Sequence, residues 1–316
     1  MIGLICYTMN FLLFSANRIA KVPNSRVLPW ILASFSLMVC VCGASAYALV
    51  WYHRFYHHMT PQELSHEVKH SSYQVSLHEG LPVTLHLYQE ENASHQKLVL
   101  FTSGDGGWSP FCADIAAHMA ASGMTVVGID AKDYLVHVAS SQKPISAEEL
   151  TLDYDAIAKL ALAKPGVDSR ANLILGGWSL GAGYSVLVAS QPEFSNRVDR
   201  VVAISPPIYN ELAWKPADAL IYITHGTPRE KVFDARQYVK KLAGIPVFIL
   251  NATNDDTSPL KDAQLIFEAA PDSKRLFTVR AHGHHFEGGE ADFYSYLDQG
   301  LRDDENVGQS GSLAKK

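Results

Sequence analysis

The ten residues GGWSLGAGYS, 176–185, decide how the rest of the chain reads. Gly177, Ser179 and Gly181 form a G-x-S-x-G pattern, which is short enough to arise by chance. Its context carries the meaning. The apolar run NLIL (172–175) precedes it, and a stretch rich in small residues, GAGYSVLVAS (181–190), follows. Strand, tight turn and helix in that order are what a serine nucleophile elbow requires. The turn forces the serine into strained backbone geometry, and side chains at 177 and 181 would collide with neighbouring elements. Ser179 is then displayed at a helix N-terminus, where the Leu180 N–H and the helix dipole can stabilise an oxyanion.

Outward from this turn, strand-like and helix-like runs alternate. SYQVSL and LPVTLHLY flank Glu79-Gly80 as a hairpin, and KLVLF (97–101) reads as a buried central strand. Helix at 110–123, strand at 125–130 and helix at 146–164 come next, the last opened by the capping box Ser146 and Glu149. Beyond the elbow come the strands DRVVAIS, LIYITHG and IPVFILN, the helix KDAQLIFEAA, the strand RLFTVR and the helix EADFYSYLDQGL. This alternation predicts an α/β fold, with a mostly parallel sheet covered by helices on both faces.

A serine hydroxyl needs a base, and the base needs an acid to orient it. On α/β-hydrolase folds these come after the serine as acid, then histidine. Asp255 and Asp256 lie just past IPVFILN, and AHGHHFEGG (281–289) lies just past the last strand. The reading places Ser179, an aspartate and a histidine at three consecutive strand ends. Asp255, four residues before Pro259, is preferred to Asp256. For the base, the Gly-His pair resembles that of α/β-hydrolases and puts His284 first, with His285 second and His282 third. A metal held by these histidines is disfavoured, because adjacent histidines ligate one ion awkwardly and a complete triad needs neither metal nor cofactor. A second oxyanion donor is expected in TSGDGGW (102–108), at the Asp105 N–H. Gly106, Trp108, Trp178 and Glu287, in the same loops, are candidates for contact with substrate.

The first 54 residues differ from the rest. Residues 27–52 contain no charged side chain, which is long enough to span a bilayer. Arg18, Lys21 and Arg26 precede this run, and Arg54 is the only fixed positive charge close behind it, an arrangement that exports the chain from residue 55 onward. Residues 1–54 thus read as an anchor, 55–70 as a polar linker, 71–302 as the α/β domain and 303–316 as a disordered tail. Two alternatives stay open: cleavage as a signal peptide near Ala44 and Ala46, and a second span within residues 1–16. The net charge of −6 offers no footprint for nucleic acid. The chain has 4 cysteines, three of them in the apolar region, too few for a disulfide framework.

SGDGGW after a strand, the serine elbow with its small-residue helix, and GHHF (283–286) followed by acids and glycines resemble the bacterial VirJ/AcvB virulence-protein family. The similarity runs over roughly residues 97–300. It implies a periplasmic α/β-hydrolase; the expected tether to the bacterial inner membrane comes from the apolar run at 27–52, a longer hydrophobic N-terminus than the resemblance implies. The reaction it implies is hydrolysis of the ester joining lysine or alanine to phosphatidylglycerol. Carried over by position, Ser179 is nucleophile, Asp255 acid and His284 base, and the substrate is a phospholipid head group. The family's association with type IV secretion implies secretion-system partners as an alternative role. This chain departs from the resemblance at Trp178 and Leu180, where Tyr and Phe are expected.

Overall fold

In the computed structural model, residues 68–302 are described, apart from 78–79, 81, 91–94, 140–141, 165–166 and 214–230. The expected anchor, most of the linker, the run LIYITHG and the tail lie outside the described residues. Among those described, no helix is long and apolar enough to cross a membrane.

The continuous apolar runs become strands whose alternate residues face opposite ways. In β3 (His95–Thr102), Leu98 and Leu100 join one buried cluster while Val99 and Phe101 join the other. The same split runs through β5 (Val167–Trp178), β6 (Val198–Ile204) and β9 (Val247–Asn254). A strand covered on both faces has no polar side to show, which is why these segments lack alternation in sequence.

With β1 (Val68–Ser76), β2 (Pro82–Glu90), β4 (Thr125–Ile129) and β10 (Lys274–His282), they form one eight-stranded sheet ordered β1-β2-β4-β3-β5-β6-β9-β10. β1–β2 and β2–β4 are antiparallel, and every other pairing is parallel. One face carries α1 (Pro110–Ala121) and α7 (Glu290–Leu301). The other carries α2 (Ala131–Val138), α3 (Ala147–Leu162), α4 (Leu180–Ala189), α5 (Ala235–Val239) and α6 (Leu260–Ala269). A separate ribbon pairs β7 (Tyr209–Glu211) with β8 (Val232–Asp234).

Two expectations need correcting. β1 begins at Val68, inside the stretch read as linker, and pairs along its whole length with β2. Its second half is the strand expected at SYQVSL, whereas its polar start fits an edge strand with a solvated face and carries no hydropathy signal. The three strand ends are not consecutive either, because β6 separates β5 from β9.

The strand order also locates the crevice. β3 leads into α1 on one face of the sheet, and its neighbour β5 leads into α4 on the other. The loops after β3 and β5 therefore diverge, opening the switch point at which ligands bind in such sheets.

Candidate active site

β5 ends at Trp178 and α4 begins at Leu180, leaving Ser179 alone in the turn with φ 55° and ψ −122°. That positive φ is costly for a residue with a side chain. Close packing enforces it. A Cβ on Gly177 would lie 2.3 Å from the Gly181 carbonyl, and one on Gly181 only 2.1 Å from the Thr102 oxygen. The Ser179 N–H donates to Ile204 O at 2.9 Å, while its hydroxyl makes no capping bond to the helix behind it. The side chain is held at a helix start without being used there.

Asp255 lies just beyond β9 and is buried. Its Oδ1 accepts from the Thr257 and Ser258 N–H groups at 2.9 and 2.8 Å. Asn251 donates from its side chain to Ser258 O at 3.1 Å, bracing that turn from below. His284 Nδ1 lies 3.0 and 2.8 Å from the two Asp255 oxygens. Burial opposes the charge on both partners. Mutual attraction and hydrogen bonding outweigh it, so the Asp255 carboxyl is held below its ordinary value and the His284 imidazole above its own. Asp256 is exposed and is not the residue bonded to the imidazole.

The loop carrying His284 is a closed turn. His282 and Glu287 exchange backbone hydrogen bonds at 2.9 Å each, and Gly283, at φ +65°, donates to Asn254 O at 3.0 Å. Within it the three histidines separate. His282 is exposed beside Asn254, and His285 packs edge-on against Phe111 with ring centroids 5.2 Å apart. Only His284 faces the acid. Its Nε2 is buried and hydrogen-bonds to no described residue, Ser179 included. In acyl-transfer sites without substrate this contact is commonly loose. Among the described residues, no three metal-ligating side chains converge.

The loop after β3 is braced by groups that the sequence reading passed over. Ser103 Oγ accepts from the Ala131 N–H and donates to Gly104 O, both at 3.0 Å. Asp130 accepts from the Trp108 N–H at 3.0 Å, and the Gly107 N–H donates to Gly104 O. A buried Ser and a helix-capping Asp, each directly after an apolar strand, are the only traces these braces leave in sequence. Asp105 is half-buried, and its charge contributes to raising His284. Leu180 N–H is among those a helix cannot satisfy internally.

Of the residues expected to contact substrate, Gly106 is exposed, and Trp108 stacks on His86 with centroids 4.7 Å apart. Glu287 folds back so that its carboxylate lies where a Gly283 Cβ would meet it at 2.5 Å. Trp178 is buried. Cys112 is buried in α1, and burial pushes its thiol up to about 12, beyond thiolate chemistry.

Residues 96–204 match the family described as "Bacterial virulence protein (VirJ)". That stretch contains the loop after β3 and Ser179 but neither Asp255 nor His284. No curated protein matches the sequence. Among solved structures, a dienelactone hydrolase from Anabaena variabilis is 18% identical, with TM-score 0.54, over 75% of this chain and 98% of its own. The esterase domain of a Rhodothermus marinus protein is 15% identical, with TM-score 0.51, over 74% and 97%. A cold-adapted esterase from an Arctic intertidal metagenomic library is 15% identical, with TM-score 0.53, over 76% and 97%. At these identities the likeness is one of fold, the α/β-hydrolase fold.

Proposed function

We propose that this chain is a serine hydrolase of carboxylic esters, acting on aminoacyl-phosphatidylglycerol at the periplasmic face of the bacterial inner membrane. The observation that carries the reading is the buried Asp255–His284 pair at the strand ends that also display the strained Ser179. His284 Nε2 takes the hydroxyl proton as Ser179 Oγ attacks the ester carbonyl. Asp255, bonded at Nδ1, fixes the tautomer and stabilises the imidazolium that forms. The Leu180 and Asp105 N–H groups receive the oxyanion. Collapse of the tetrahedral intermediate passes the proton to the departing glycerol oxygen. Water, deprotonated by His284, then releases the amino acid from Ser179.

The lipid substrate rests on the family match together with the apolar run at 27–52, which would hold the site beside head groups. An aminoacyl ester carries an ammonium next to the scissile carbonyl, and the half-buried Asp105 carboxylate is a group it would meet. The test is to incubate the purified full-length chain with lysyl- and alanyl-phosphatidylglycerol, and with their N-acetylated forms. Release of amino acid, several-fold faster from the charged esters, is expected for a partly solvated charge pair of about 1 kcal/mol. Equal turnover of charged and acetylated lipids, with rapid cleavage of short soluble esters, would instead mark a general esterase.

A further inference from the structure

We infer that Trp178 is a positioning residue that ties the base loop to the nucleophile turn, rather than a wall of the substrate pocket. The inference rests on the serine-hydrolase reading above. Trp178 is the last residue of β5, next to Ser179 in the chain, and only 5% of it is exposed. Its indole Nε1–H donates to the backbone carbonyl of His284 at 3.2 Å. Its ring lies 4.8 Å from the His284 imidazole, centroid to centroid, and 5.1 Å from Phe111 in a T-shaped contact. The ring also lies 4.9 Å from the His285 imidazole, and a Cβ built on Gly104 would come within 3.1 Å of the indole. One side chain therefore touches the loops after β3 and β10 and belongs to the end of β5, beside Ser179.

His284 is consequently held at two places. Asp255 holds Nδ1, and Trp178 holds the main-chain carbonyl of the same residue. With both fixed, the imidazole cannot slide along the acid, and Nε2 is the ring nitrogen left to exchange a proton with Ser179. Phenylalanine would fill much of the same space but has no donor. Replacing tryptophan by phenylalanine separates packing from positioning.

The experiment uses the full-length protein in detergent. Trp178→Phe should lower kcat for a p-nitrophenyl ester by about tenfold while KM stays within about twofold, the size expected for losing one positioning hydrogen bond. A raised KM with unchanged kcat would make Trp178 a substrate contact, and unchanged kinetics would show that its hydrogen bond positions nothing. Either result overturns the inference.

A second measurement needs neither this variant nor activity. A protonated imidazole in contact with an indole quenches its fluorescence. Wild-type emission should therefore rise as His284 loses its proton with increasing pH. In a Trp108→Phe background, which removes the Trp108–His86 pair, the part of this rise that survives His285→Gln should vanish in His284→Gln. Absence of the rise from the wild-type protein overturns the contact. A protein that hydrolyses no ester but shows the His284-dependent transition retains the clamp and loses the esterase reading instead.

Discussion

Ser179 holds a backbone conformation that a side chain disfavours, with a hydroxyl that makes no capping bond to its helix. Strain of this kind costs about 1–3 kcal/mol, and glycine relieves it while giving back up to about 1 kcal/mol in unfolded-state entropy. Ser179→Gly should therefore abolish labelling by a fluorophosphonate probe and also raise Tm by about 2–4 °C, for a net gain near 1 kcal/mol. A destabilised variant would mean that the turn is not strained.

His284 gives the site its pH dependence. The proposed mechanism requires the neutral imidazole, and His284 is raised above 6.5, so the acid limb of kcat/KM should lie above that pH. Stability runs the other way. A group raised on folding contributes stability fully below its unfolded pKa and loses it as pH climbs through the folded value. The lowered Asp255 contributes above its unfolded value of about 3.8 and loses that as pH falls through its folded one. The pair is thus most stabilising between the two transitions, on the acidic side of the activity optimum. Measuring Tm and kcat/KM over one pH series checks this, and maxima that coincide would contradict the assignment of His284 as base.

At the scale of elements, packing and capping predict very different costs. Gly181→Ala places a methyl against the Thr102 and Ser103 carbonyls, with backbone unable to yield on either side. It should cost upwards of about 3 kcal/mol, the top of the usual overpacking range. Ser146→Ala removes the α3 capping box, in which the Glu149 N–H donates to Ser146 Oγ at 3.1 Å and the Ser146 N–H to Glu149 at 2.8 Å. That should cost about 1 kcal/mol with turnover intact. Thermal unfolding of the two variants ranks them, and equal losses would refute the packing argument. Elements with strong local signals were the legible ones. Helix 290–301 reads from its apolar spacing with the bounds of α7, and the capping box marks the start of α3. By contrast α2, α5, β7 and β8 are too short to establish a period, and they exist because neighbours cover them. At the candidate site, order along the chain pointed to Asp255 and His284. The spacing to Pro259 and the Gly-His pair already ranked these two first, while the bond between them rests on burial and side-chain direction, which adjacent letters do not encode.

For the whole molecule, the proposed function requires the site to reach lipid head groups, and this depends on the segment before Val68. Residues 27–52 carry no charge, enough apolar length to cross a bilayer core of about 30 Å. The fixed positive charges Arg18, Lys21 and Arg26 lie on one side of this run, with Arg54 alone close behind it. Basic residues are retained in the cytoplasm, so on the proposed reading the charge bias would export everything from residue 55 onward. A reporter that folds only in the periplasm, fused after Arg302, should be active, and one that works only in the cytoplasm should be silent. The reversed pattern would sink the orientation and, with it, access to the outer leaflet of that membrane. Insertion is tested separately, since high-salt washing strips proteins held by charge but not one holding a full span. If salt releases the intact chain, the run does not anchor it. Release of a chain shortened at its N-terminus would mean cleavage near Ala46, and the enzyme would then have to find its lipid by diffusion.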